Sequence, residues 1–407
     1  MLEQRMHDEE PAGTDLLTPQ ARSTLESSGY GSWREIAKAD AVSLAFGFPF
    51  PESFPTDELA HSVEVVFDAE GPQALQYGGG EYATRLESFV REREAARGID
   101  PVETSVLLTN GATHAIDSIC RAFLEPGDVV AVERPTFMGS ISVFENFGVE
   151  IDGLAVDDEG IDVDALADRL ETRRAAGEPT PTLLYTISDF QNPTGATLSL
   201  DRRKRLLALA DEYDFVIVED GAYTDLRFDG ESVPPLAALD DSGRVIRVGS
   251  FAKTIAPGVR LGWLVAPEPI RDAIDALAAG GTNTFTRSVV GHYCDAGHFD
   301  DLLPALREAY ATRRDRLLDA LERHLPPEAT WTEPDGGFFV WIELADTVDT
   351  DELLDDAIDA GVTYLPGSMF YPDDGGTNAL RLSFSYADPD DFDGAIASLA
   401  DVAADQS

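Results

Sequence analysis

Hydrophobic residues along the chain form two alternating patterns, short apolar runs and amphipathic segments. Seven runs are apolar almost without interruption: SVLLT, DVVAVE, EIDGLAV, TLLYTI, FVIVED, RVIRVG and VRLGWLVA. Such runs are typical of strands covered on both faces, as in a mostly parallel sheet. Segments with helical spacing separate them, for example from Leu200 to Tyr213. The pattern predicts an α/β protein whose large domain is a three-layer α/β/α sandwich around a mixed, mostly parallel sheet.

After about Thr284 the order of predicted elements changes. The remaining elements are a helix from roughly Leu302 to His324, the strand FFVWIEL, a helix from Asp351 to Ala360, the strand ALRLSFS and a final helix. This mixture predicts a smaller α+β domain. We therefore expect three parts: residues 1–56 as an N-terminal arm and glycine/proline-rich segment that packs with the small domain, residues 57–298 as the large domain, and residues 299–407 as the small C-terminal domain.

The charge of the chain is far from average. It has 76 acidic against 30 basic residues, a formal net charge of −46, and 43% of its 407 residues are hydrophobic. The hydrophobic fraction allows a sizeable core, but the charge argues against a nucleic-acid partner, because phosphate backbones need cationic surfaces. Acidic residues recur along most helices, as in DTDELLDDAIDA. Dispersed acid is typical of a solvated surface, and salt screens its self-repulsion, so we expect a halophilic source.

No segment indicates secretion, a membrane or a metal. Cys120 and Cys294 are far apart and match no metal-binding spacing, and the apolar setting of each predicts a buried free thiol. The first residues, MLEQRMHDEE, lack the apolar core of a signal peptide. No apolar run is long enough to span a bilayer. We expect a soluble, cytoplasmic protein without a metal ion.

The segment VGSFAKTIAPGVRLGW carries the strongest candidate for reactive chemistry. Lys253 stands there among small, apolar and hydroxyl residues, with Ser250 before it and Arg260 after it. An apolar setting lowers the pKa of a lysine and makes its amine a usable nucleophile. Ser250 and Arg260 can both hold a phosphate. An amine between two phosphate ligands is what an enzyme needs to anchor pyridoxal phosphate as a Schiff base, and a lysine at the end of an ordinary strand is the alternative.

Two junctions between a predicted strand and a helix carry groups that suit such a cofactor. In TNGATHAI a strand ends, Gly111 turns the chain and a helix begins at about Ala112. The free N–H groups of that helix form an anion site, to which Thr113 adds a hydroxyl. In PTF, Phe137 follows the strand DVVAVE. Its ring can stack on a flat heteroaromatic ring there, or pack in the core under the next helix.

Two more junctions place polar side chains at the ends of buried strands. In DFQNPTG, Asn192 precedes a proline that imposes an extended or turn geometry and leaves the amide free to donate; a plain strand-exit turn would not require Asn. In VEDGAY, Asp220 closes the strand FVIVED, where a carboxylate is costly unless it is paired. A protonated pyridine nitrogen is a suitable partner, and Tyr223 can donate to the phenolic oxygen of the ring. The alternative is that Asp220 caps the following segment.

Together these segments resemble the signature of fold-type I pyridoxal phosphate aminotransferases of class I/II. The residues that carry the resemblance are NGAT, PTF, QNPTG, VEDGAY and SFAKTIAPGVRLG, in this order. Within the class, the chain most resembles the subgroup of 2-aminoadipate and other broad-specificity transaminases, and the aminotransferase-like half of MocR-type regulators. The similarity runs from about Val42 to Ala387. It implies pyridoxal 5'-phosphate as the cofactor, amino acids and 2-oxo acids as substrates, and a homodimer with shared active sites.

The resemblance also implies roles for single residues. Lys253 is expected to form the Schiff base and to shuttle the α-proton, Asp220 to pair with the pyridine nitrogen, and Asn192 and Tyr223 to bind the ring oxygen. The expected ring stack is Phe137, the expected phosphate ligands are Ser250, Arg260, Ala112, Thr113 and, from a second subunit, Tyr77, and the expected substrate contacts are Arg381, Asn192, Gly47 and Arg34. Two positions depart from the family pattern. Phe137 often is tyrosine, and Ala112 commonly is serine, so its contact would come from the backbone N–H alone.

The implied reaction is transamination in two half-reactions. An amino acid displaces Lys253 from the cofactor, the freed lysine moves the proton from Cα, and a second oxo acid such as 2-oxoglutarate reverses the sequence. Two alternatives stay open. The same scaffold can run β-elimination or decarboxylation, because the outcome depends on which Cα bond stands perpendicular to the ring. A ligand-sensing regulator would need a winged helix-turn-helix arm, and the N-terminal region here is short for one and not basic.

Overall fold

The structure is a computed structural model and describes residues 16–18, 21–22, 36, 38–278 and 280–405. The chain divides into two compact units, Met1–Asp40 and Ala41–Ser407, and every element named below belongs to the second. The predicted domain boundaries at residues 56 and 298 stay predictions. No helix within the described ranges is both long and apolar enough to cross a membrane.

Helices and strands alternate along most of the second unit. Its described helices are α1 (Thr56–Glu70), α2 (Glu81–Ala96), α3 (Ala112–Phe123), α4 (Met138–Glu145), α5 (Val163–Ala176), α6 (Leu200–Tyr213), α7 (Leu236–Leu239), α8 (Glu268–Leu277), α9 (Thr284–Asp295), α10 (His298–His324), α11 (Thr350–Asp359) and α12 (Phe392–Asp405). Its described strands are β1 (Val42–Ser43), β2 (Thr104–Thr109), β3 (Val129–Arg134), β4 (Glu150–Asp157), β5 (Gly160–Ile161), β6 (Leu183–Thr186), β7 (Val216–Asp220), β8 (Val245–Ser250), β9 (Gly262–Pro267), β10 (Thr330–Trp331), β11 (Phe339–Glu343), β12 (Val362–Thr363), β13 (Leu365–Pro366) and β14 (Ala379–Ser383).

The large sheet contains all seven strands that the apolar runs predict. Its order is β2-β9-β8-β7-β6-β3-β4-β5. The pairs from β8 through β7, β6 and β3 to β4 are parallel. Strand β9 is antiparallel to both β2 and β8, and the short edge strand β5 is antiparallel to β4. The prediction of a mixed, mostly parallel sheet is confirmed.

Helices cover both faces of this sheet. On one face Leu166 of α5 and Leu206 of α6 belong to the same apolar cluster as Leu184 of β6. On the other face the ring of Phe144 in α4 lies edge-on to the ring of Tyr185, with centroids 5.6 Å apart. Leu184 and Tyr185 are neighbours in one strand, so their side chains point to opposite faces. The predicted three-layer α/β/α arrangement is therefore present.

The C-terminal part of the chain builds a second, smaller sheet. Strands β10-β11-β14-β13 are antiparallel throughout. Strand β1, in the segment before α1, pairs in parallel with β12, and Ser383 of β14 donates a backbone hydrogen bond to Leu44 at 2.7 Å. Residues 42–44 thus lie against the C-terminal elements. The mixture of strands and helices predicted for this part is observed.

The long helix α10 begins earlier than the sequence pattern predicts. It starts at His298, ahead of the predicted Leu302. Asp300 and Asp301 occupy its first turn. Acidic side chains there are stabilised by the positive end of the helix dipole. The spacing of apolar residues carries no trace of this effect, which is why the prediction began late.

Strands β2, β3, β6, β7 and β8 end at one edge of the large sheet. Since these strands run in the same direction, the segments after them meet at that edge. Those segments carry, in chain order, Ala112, Phe137, Asn192, Tyr223 and Lys253. In open α/β sheets ligands bind outside the carboxyl ends of the strands.

Candidate active site

Lys253 lies in the turn that follows β8. Its Nζ donates a hydrogen bond of 2.8 Å to the carbonyl oxygen of Gly47, and it lies 5.6 Å from the ring centroids of both Tyr223 and Phe338. The residue is half-buried. Removal from water and the positive charge of Arg381 lower the pKa of Lys253 to about 8, against the opposite effect of the Asp220 carboxylate. Near neutral pH about a tenth of the amine is therefore neutral, far more than for a lysine with the ordinary pKa of 10.5.

Asp220 is the last residue of β7 and is 5% exposed. The hydroxyl of Tyr185 donates to its Oδ2 at 2.8 Å, and the backbone N–H of Ala222 donates to its Oδ1 at 3.0 Å. Burial raises the pKa of Asp220, while the Tyr185 bond and the charge of Lys253 lower it. Asp220 and Lys253 act on each other's ionisation, so the structure places them at the same site.

Tyr223 stands three residues after Asp220 and is 5% exposed. Its ring lies edge-on to Phe338 and Phe339, with centroids 5.5 Å and 5.7 Å away. Burial raises the pKa of its hydroxyl well above the usual value, so this group stays a hydrogen-bond donor. The two phenylalanines belong to the C-terminal part of the chain, which the site thus includes.

The start of α3 and the turn before β9 form one pocket of donors. Gly111, with φ of 89°, leads into the helix at Ala112, and a side chain at Gly111 would have its Cβ 3.0 Å from Nη2 of Arg260. Arg260 itself adopts a left-handed φ of 48°, an uncommon conformation for an arginine. Such strained backbone is concentrated at functional sites. Thr113, in the first helical turn, is exposed.

Ser250 closes β8 on the side of this pocket. Ser250 is 7% exposed, and its hydroxyl oxygen accepts a hydrogen bond of 3.1 Å from the N–H of Ala252. Ser250 pairs with Gly262 of β9, and a Cβ at Gly262 would lie 2.9 Å from the backbone nitrogen of Ala112. The structure therefore brings Ser250, Arg260 and the N-terminus of α3 together. The guanidinium of Arg260, the hydroxyl of Ser250 and the free backbone N–H groups of α3 can all donate hydrogen bonds to a phosphate.

Phe137 and Asn192 follow two neighbouring strands, β3 and β6. Phe137 is the residue directly before α4 and is half-buried. Asn192 is 3% exposed, and its Oδ1 accepts a hydrogen bond of 2.8 Å from Nη1 of Arg381.

Arg381 lies in the middle of β14 and is 3% exposed. Besides its bond to Asn192, it donates from Nη2 to the carbonyl of Ala45 at 2.6 Å. Its guanidinium lies 4.0 Å from the ring centroid of Phe339 and 4.9 Å from that of Phe370. The Nε has no hydrogen-bond partner among the described residues, and burial lowers the pKa of Arg381 to about 9. An arginine buried without a carboxylate suits a carboxylate ligand.

Of the three remaining predicted residues, Gly47 belongs to this group. Its carbonyl accepts the hydrogen bond from Lys253, and a Cβ there would lie 2.4 Å from the Phe339 ring, which leaves no room for a side chain. Tyr77 lies just before α2 and is 96% exposed. Arg34 lies outside the described residues.

Comparison with known proteins decides the family. Residues 69–399 match the family model "Aminotransferase class I and II". The chain belongs to this family. It is 39% identical over 365 residues to aromatic-amino-acid aminotransferase 1 of Thermococcus litoralis, a match covering 87% of this chain and 86% of that protein.

Solved structures of other aminotransferases share the fold. The kynurenine aminotransferase of Pyrococcus horikoshii, solved in complex with PMP, is 36% identical with a TM-score of 0.91 and covers 96% of this chain and 97% of its own. LysN, the α-aminoadipate aminotransferase of Thermus thermophilus, was solved in complex with N-(5'-phosphopyridoxyl)-L-leucine. It is 33% identical with a TM-score of 0.86, and the match covers 96% of this chain and 98% of that one. The predicted family, enzyme class and cofactor are confirmed. This aminotransferase uses pyridoxal phosphate to move an amino group between amino acids and 2-oxo acids.

The residues of this aminotransferase fit that cofactor. The donors at Ser250, Arg260 and the start of α3 suit its phosphate, and the buried carboxylate of Asp220 suits a protonated ring nitrogen. Lys253 supplies an amine with a lowered pKa, which suits the cofactor aldehyde.

Sequence reasoning missed a buried polar layer behind the site. Glu133, Thr186, Glu219 and Arg247 stand near the ends of four neighbouring strands, all at most 1% exposed. Thr186 donates to Glu133 at 2.6 Å, and Arg247 lies 3.2 Å from Glu219. Charged residues inside otherwise apolar runs, as in VVAVE and VIRVG, were the available signal. Tyr185, which holds Asp220, carried no such signal because tyrosine is ordinary in a strand.

Proposed function

We propose that this chain is a transaminase that prefers aromatic amino donors and uses 2-oxoglutarate as acceptor, with Lys253 as its catalytic amine. The observation that carries the proposal is that Lys253, Asp220 and Arg381 lie at one site. The charges of Arg381 and Asp220 both act on the pKa of Lys253, and the charge of Lys253 lowers the pKa of Asp220. One amine, one carboxylate and one guanidinium match the three charged parts of the reaction: the amino group, the ring nitrogen and the substrate carboxylate.

Each group has a distinct task in this proposal. When bound, the cofactor supplies an electron-withdrawing ring that stabilises negative charge at the substrate Cα. The neutral amine of Lys253 would hold the cofactor at its aldehyde carbon. Its Nζ, released when the substrate amine takes its place there, would accept the proton from the substrate Cα. Asp220, held by two hydrogen bonds, keeps the ring nitrogen protonated. Asn192 and Tyr223 donate to the ring oxygen, and Phe137 covers the ring face.

Two different groups of residues hold the phosphate and the substrate in this proposal. Ser250, Arg260 and the N–H groups of Ala112 and Thr113 bind the phosphate in this proposal. Arg381 orients the substrate carboxylate, for which its planar fork of donors is suited. The carbonyl of Ala45 accepts a hydrogen bond from Arg381, and the carbonyl of Gly47 accepts one from Lys253. The substrate backbone is thereby placed next to the lysine, which is the positional part of catalysis.

Aromatic side chains at the cleft support the choice of donor. Phe48 follows Gly47 and is 46% exposed; its ring stacks on Phe46 with centroids 5.1 Å apart. Tyr386, 39% exposed, lies edge-on to Phe48 at 6.1 Å. An aromatic substrate gains contact area and favourable ring geometry against such a surface. The similarity to a named aromatic-amino-acid aminotransferase agrees with this choice.

A donor panel tests the proposal. Initial rates with aromatic, branched-chain and acidic amino acids, each with 2-oxoglutarate in molar salt, should rank aromatic donors first. Phe48→Ala should lower kcat/KM for an aromatic donor about tenfold while changing alanine little, because ring contacts are worth about 0.5–1.5 kcal/mol beyond buried area. A preference for acidic or branched donors in the unaltered protein would contradict the aromatic assignment.

A second copy of the chain would complete the site. Tyr77 is almost fully exposed, and an open apolar groove of about 290 Å³ lies between α1, α9 and the turn that ends at Arg260. Leu59, Val63 and Val259 are among its lining residues. Exposed apolar surface beside an incomplete phosphate site supports a homodimer in which Tyr77 reaches the phosphate of its neighbour.

The charge of the chain supports a salt-rich cytoplasm as its setting. A net charge of −46, spread over the helices, opposes compact folding in dilute buffer. At molar salt the screening length falls to about 3 Å, which removes most of this repulsion. A cytoplasmic location also fits an enzyme of amino acid metabolism.

A further inference from the structure

Gln191 makes more hydrogen bonds than its place in a turn requires. Its Nε2 donates to Oε2 of Glu133 at 3.1 Å and to the carbonyl of Pro135 at 2.8 Å. Its Oε1 accepts from the backbone N–H and the hydroxyl of Thr194, both at 2.8 Å. The residue is 1% exposed. Every hydrogen-bonding position of the amide is therefore occupied inside the protein.

These bonds join two separate loops. One loop follows β3 and contains Pro135 and Phe137; the other follows β6 and contains Gln191 and Asn192. Asn192 is the next residue after Gln191, and Phe137 is two residues after the carbonyl that Gln191 binds. The backbone before the amide is itself unusual, since Phe190 has a left-handed φ of 54°. The side chain of Gln191 thus links the two loops.

Glu133 anchors this arrangement to the sheet. Its carboxylate accepts from the Thr186 hydroxyl at 2.6 Å, from the Ile187 N–H at 3.2 Å and from Gln191. It is 1% exposed, and no described cation is paired with it. Burial, opposed by these hydrogen bonds, raises the pKa of Glu133 to about 7. A buried acid without a cation is costly, and its donors compensate only in this geometry.

We propose that Gln191, held by Glu133, is a positioning residue that sets the spacing of Phe137 and Asn192 around the cofactor ring. The proposal rests on the ring-contact roles proposed above for those two residues. Gln191 touches neither substrate nor reacting atoms. It acts by fixing one loop against the other, so its loss widens the range of positions that the two ring contacts sample.

Gln191→Ala in the full chain tests this. The cofactor is removed and titrated back, and its dissociation constant is read from tryptophan fluorescence. We expect an increase of about tenfold or more, because two buried acceptors lose their donor. The circular dichroism that the bound cofactor shows should weaken at saturation, since the ring is less firmly held. Unchanged affinity and dichroism would overturn the proposal.

Tyr364→Phe is the matched control. Tyr364 is fully buried, and its hydroxyl donates to the carbonyl of Thr350 at 2.6 Å, a contact in which neither loop takes part. It should lower Tm without changing cofactor affinity or dichroism. If Tyr364→Phe weakens cofactor binding as much as Gln191→Ala, general destabilisation is the cause and the positioning role falls.

Exchanging the partners tests the contribution of Glu133. Glu133→Gln replaces one of two acceptor oxygens with an N–H donor that faces another donor in either orientation, and Gln191→Glu places two acids together, so each should weaken cofactor binding. The double variant restores one donor and one acceptor in contact and should recover part of the loss, as interacting residues do. Additive losses would overturn the link to Glu133.

Two further variants separate this proposal from the assignment of the ring contacts. If Phe137→Ala and Asn192→Ala both leave cofactor affinity unchanged, the proposed ring contacts are wrong, and the role of Gln191 falls with them. If both weaken binding and Gln191→Ala does not, only the positioning role is wrong.

Discussion

The side-chain nitrogen of Lys253 donates a 2.8 Å hydrogen bond to the carbonyl oxygen of Gly47, a residue 206 positions earlier. Two residues before Gly47, the carbonyl of Ala45 accepts a 2.6 Å bond from Arg381. One short backbone stretch therefore holds both cations of the site. Their charges interact, since Arg381 lowers the pKa of Lys253. A change at either cation is expected to alter the other.

Lys253→Ala should abolish transamination. We expect turnover to fall by about a thousandfold or more, because proton transfer by a positioned group alone contributes about 10²–10⁴-fold and the attaching amine is lost as well. Steady-state rates and the visible absorbance of bound cofactor are the measurements. Lys204→Ala, on the exposed side of α6, is the control and should match the parent. Parent-like turnover and spectrum in Lys253→Ala would refute the assignment.

Capture of pyridoxal phosphate by cofactor-free protein should accelerate as pH rises through about 8. The pKa of Lys253 is lowered from 10.5 to about 8, and only the neutral amine attacks the aldehyde. Below this pH the protonated amine dominates and capture slows. Between pH 8 and 10.5 the unfolded chain binds the extra proton, so this lysine also makes unfolding free energy rise with pH there. Stopped-flow absorbance across pH gives the midpoint.

Two variants should move that midpoint in opposite directions. Asp220→Asn removes a negative charge that raises the pKa of Lys253, so the midpoint should fall. Arg381→Gln removes a positive charge that lowers it, so the midpoint should rise. Shifts in the same direction would show that the lysine does not sense these two charges as the structure requires.

Arg381→Lys should impair substrate binding although the charge is kept. An ammonium is a point charge and cannot reproduce the planar fork that binds both carboxylate oxygens. One lost hydrogen bond to a charged group is worth about 1.5–3 kcal/mol, so kcat/KM for an amino acid should fall about 10- to 100-fold, mainly through KM. Arg121→Lys, whose partner Asp117 is on the same surface helix, is the control. An unchanged KM would argue against the carboxylate role.

Mixed dimers test whether Tyr77 acts across subunits. Tyr77→Ala and Lys253→Ala subunits are unfolded together, refolded and assayed at limiting cofactor. In a mixed dimer one site lacks both residues and the other has both, so activity should exceed that of either variant alone. Lys253→Ala mixed with Arg381→Ala is the control, since both belong to one subunit's site. No recovery in the first mixture would contradict the shared site.

Stability should increase with salt. The screening length falls from about 10 Å at 0.1 M to about 3 Å at 1 M, which weakens repulsion among the surface carboxylates. Tm measured in potassium chloride from dilute buffer to molar concentration should rise steadily. A Tm that does not respond would remove the proposal of a halophilic setting.

Much of the fold followed from local patterns. The seven apolar runs form seven of the eight strands in the large sheet, because a mostly apolar segment can be buried on both faces wherever it pairs. The junction at Gly111 followed for a similar reason, since its left-handed backbone and the helix start after it are local. Roles for Lys253 and Ser250 were predicted in the same way, because the features that suggest them lie in one short segment.

Contacts across strands were beyond the sequence. Tyr185 meets Asp220, and Gln191 meets Glu133, only because β3, β6 and β7 pair in one register, and a shift of one residue would turn these side chains to the other face. The closeness of Arg381 to Asn192 likewise depends on how the C-terminal sheet packs against the large one.

The sequence by itself determined which segments are buried, where the chain turns and which side chains are candidates for reactive chemistry, because these properties depend on each residue and its near neighbours. Only the tertiary structure decided which of those side chains meet. The pKa of Lys253, for example, depends on the charges of Asp220 and Arg381, which lie 33 and 128 positions away in the chain. Electrostatic and hydrogen-bond energies depend on distance in space, and chain folding alone sets that distance.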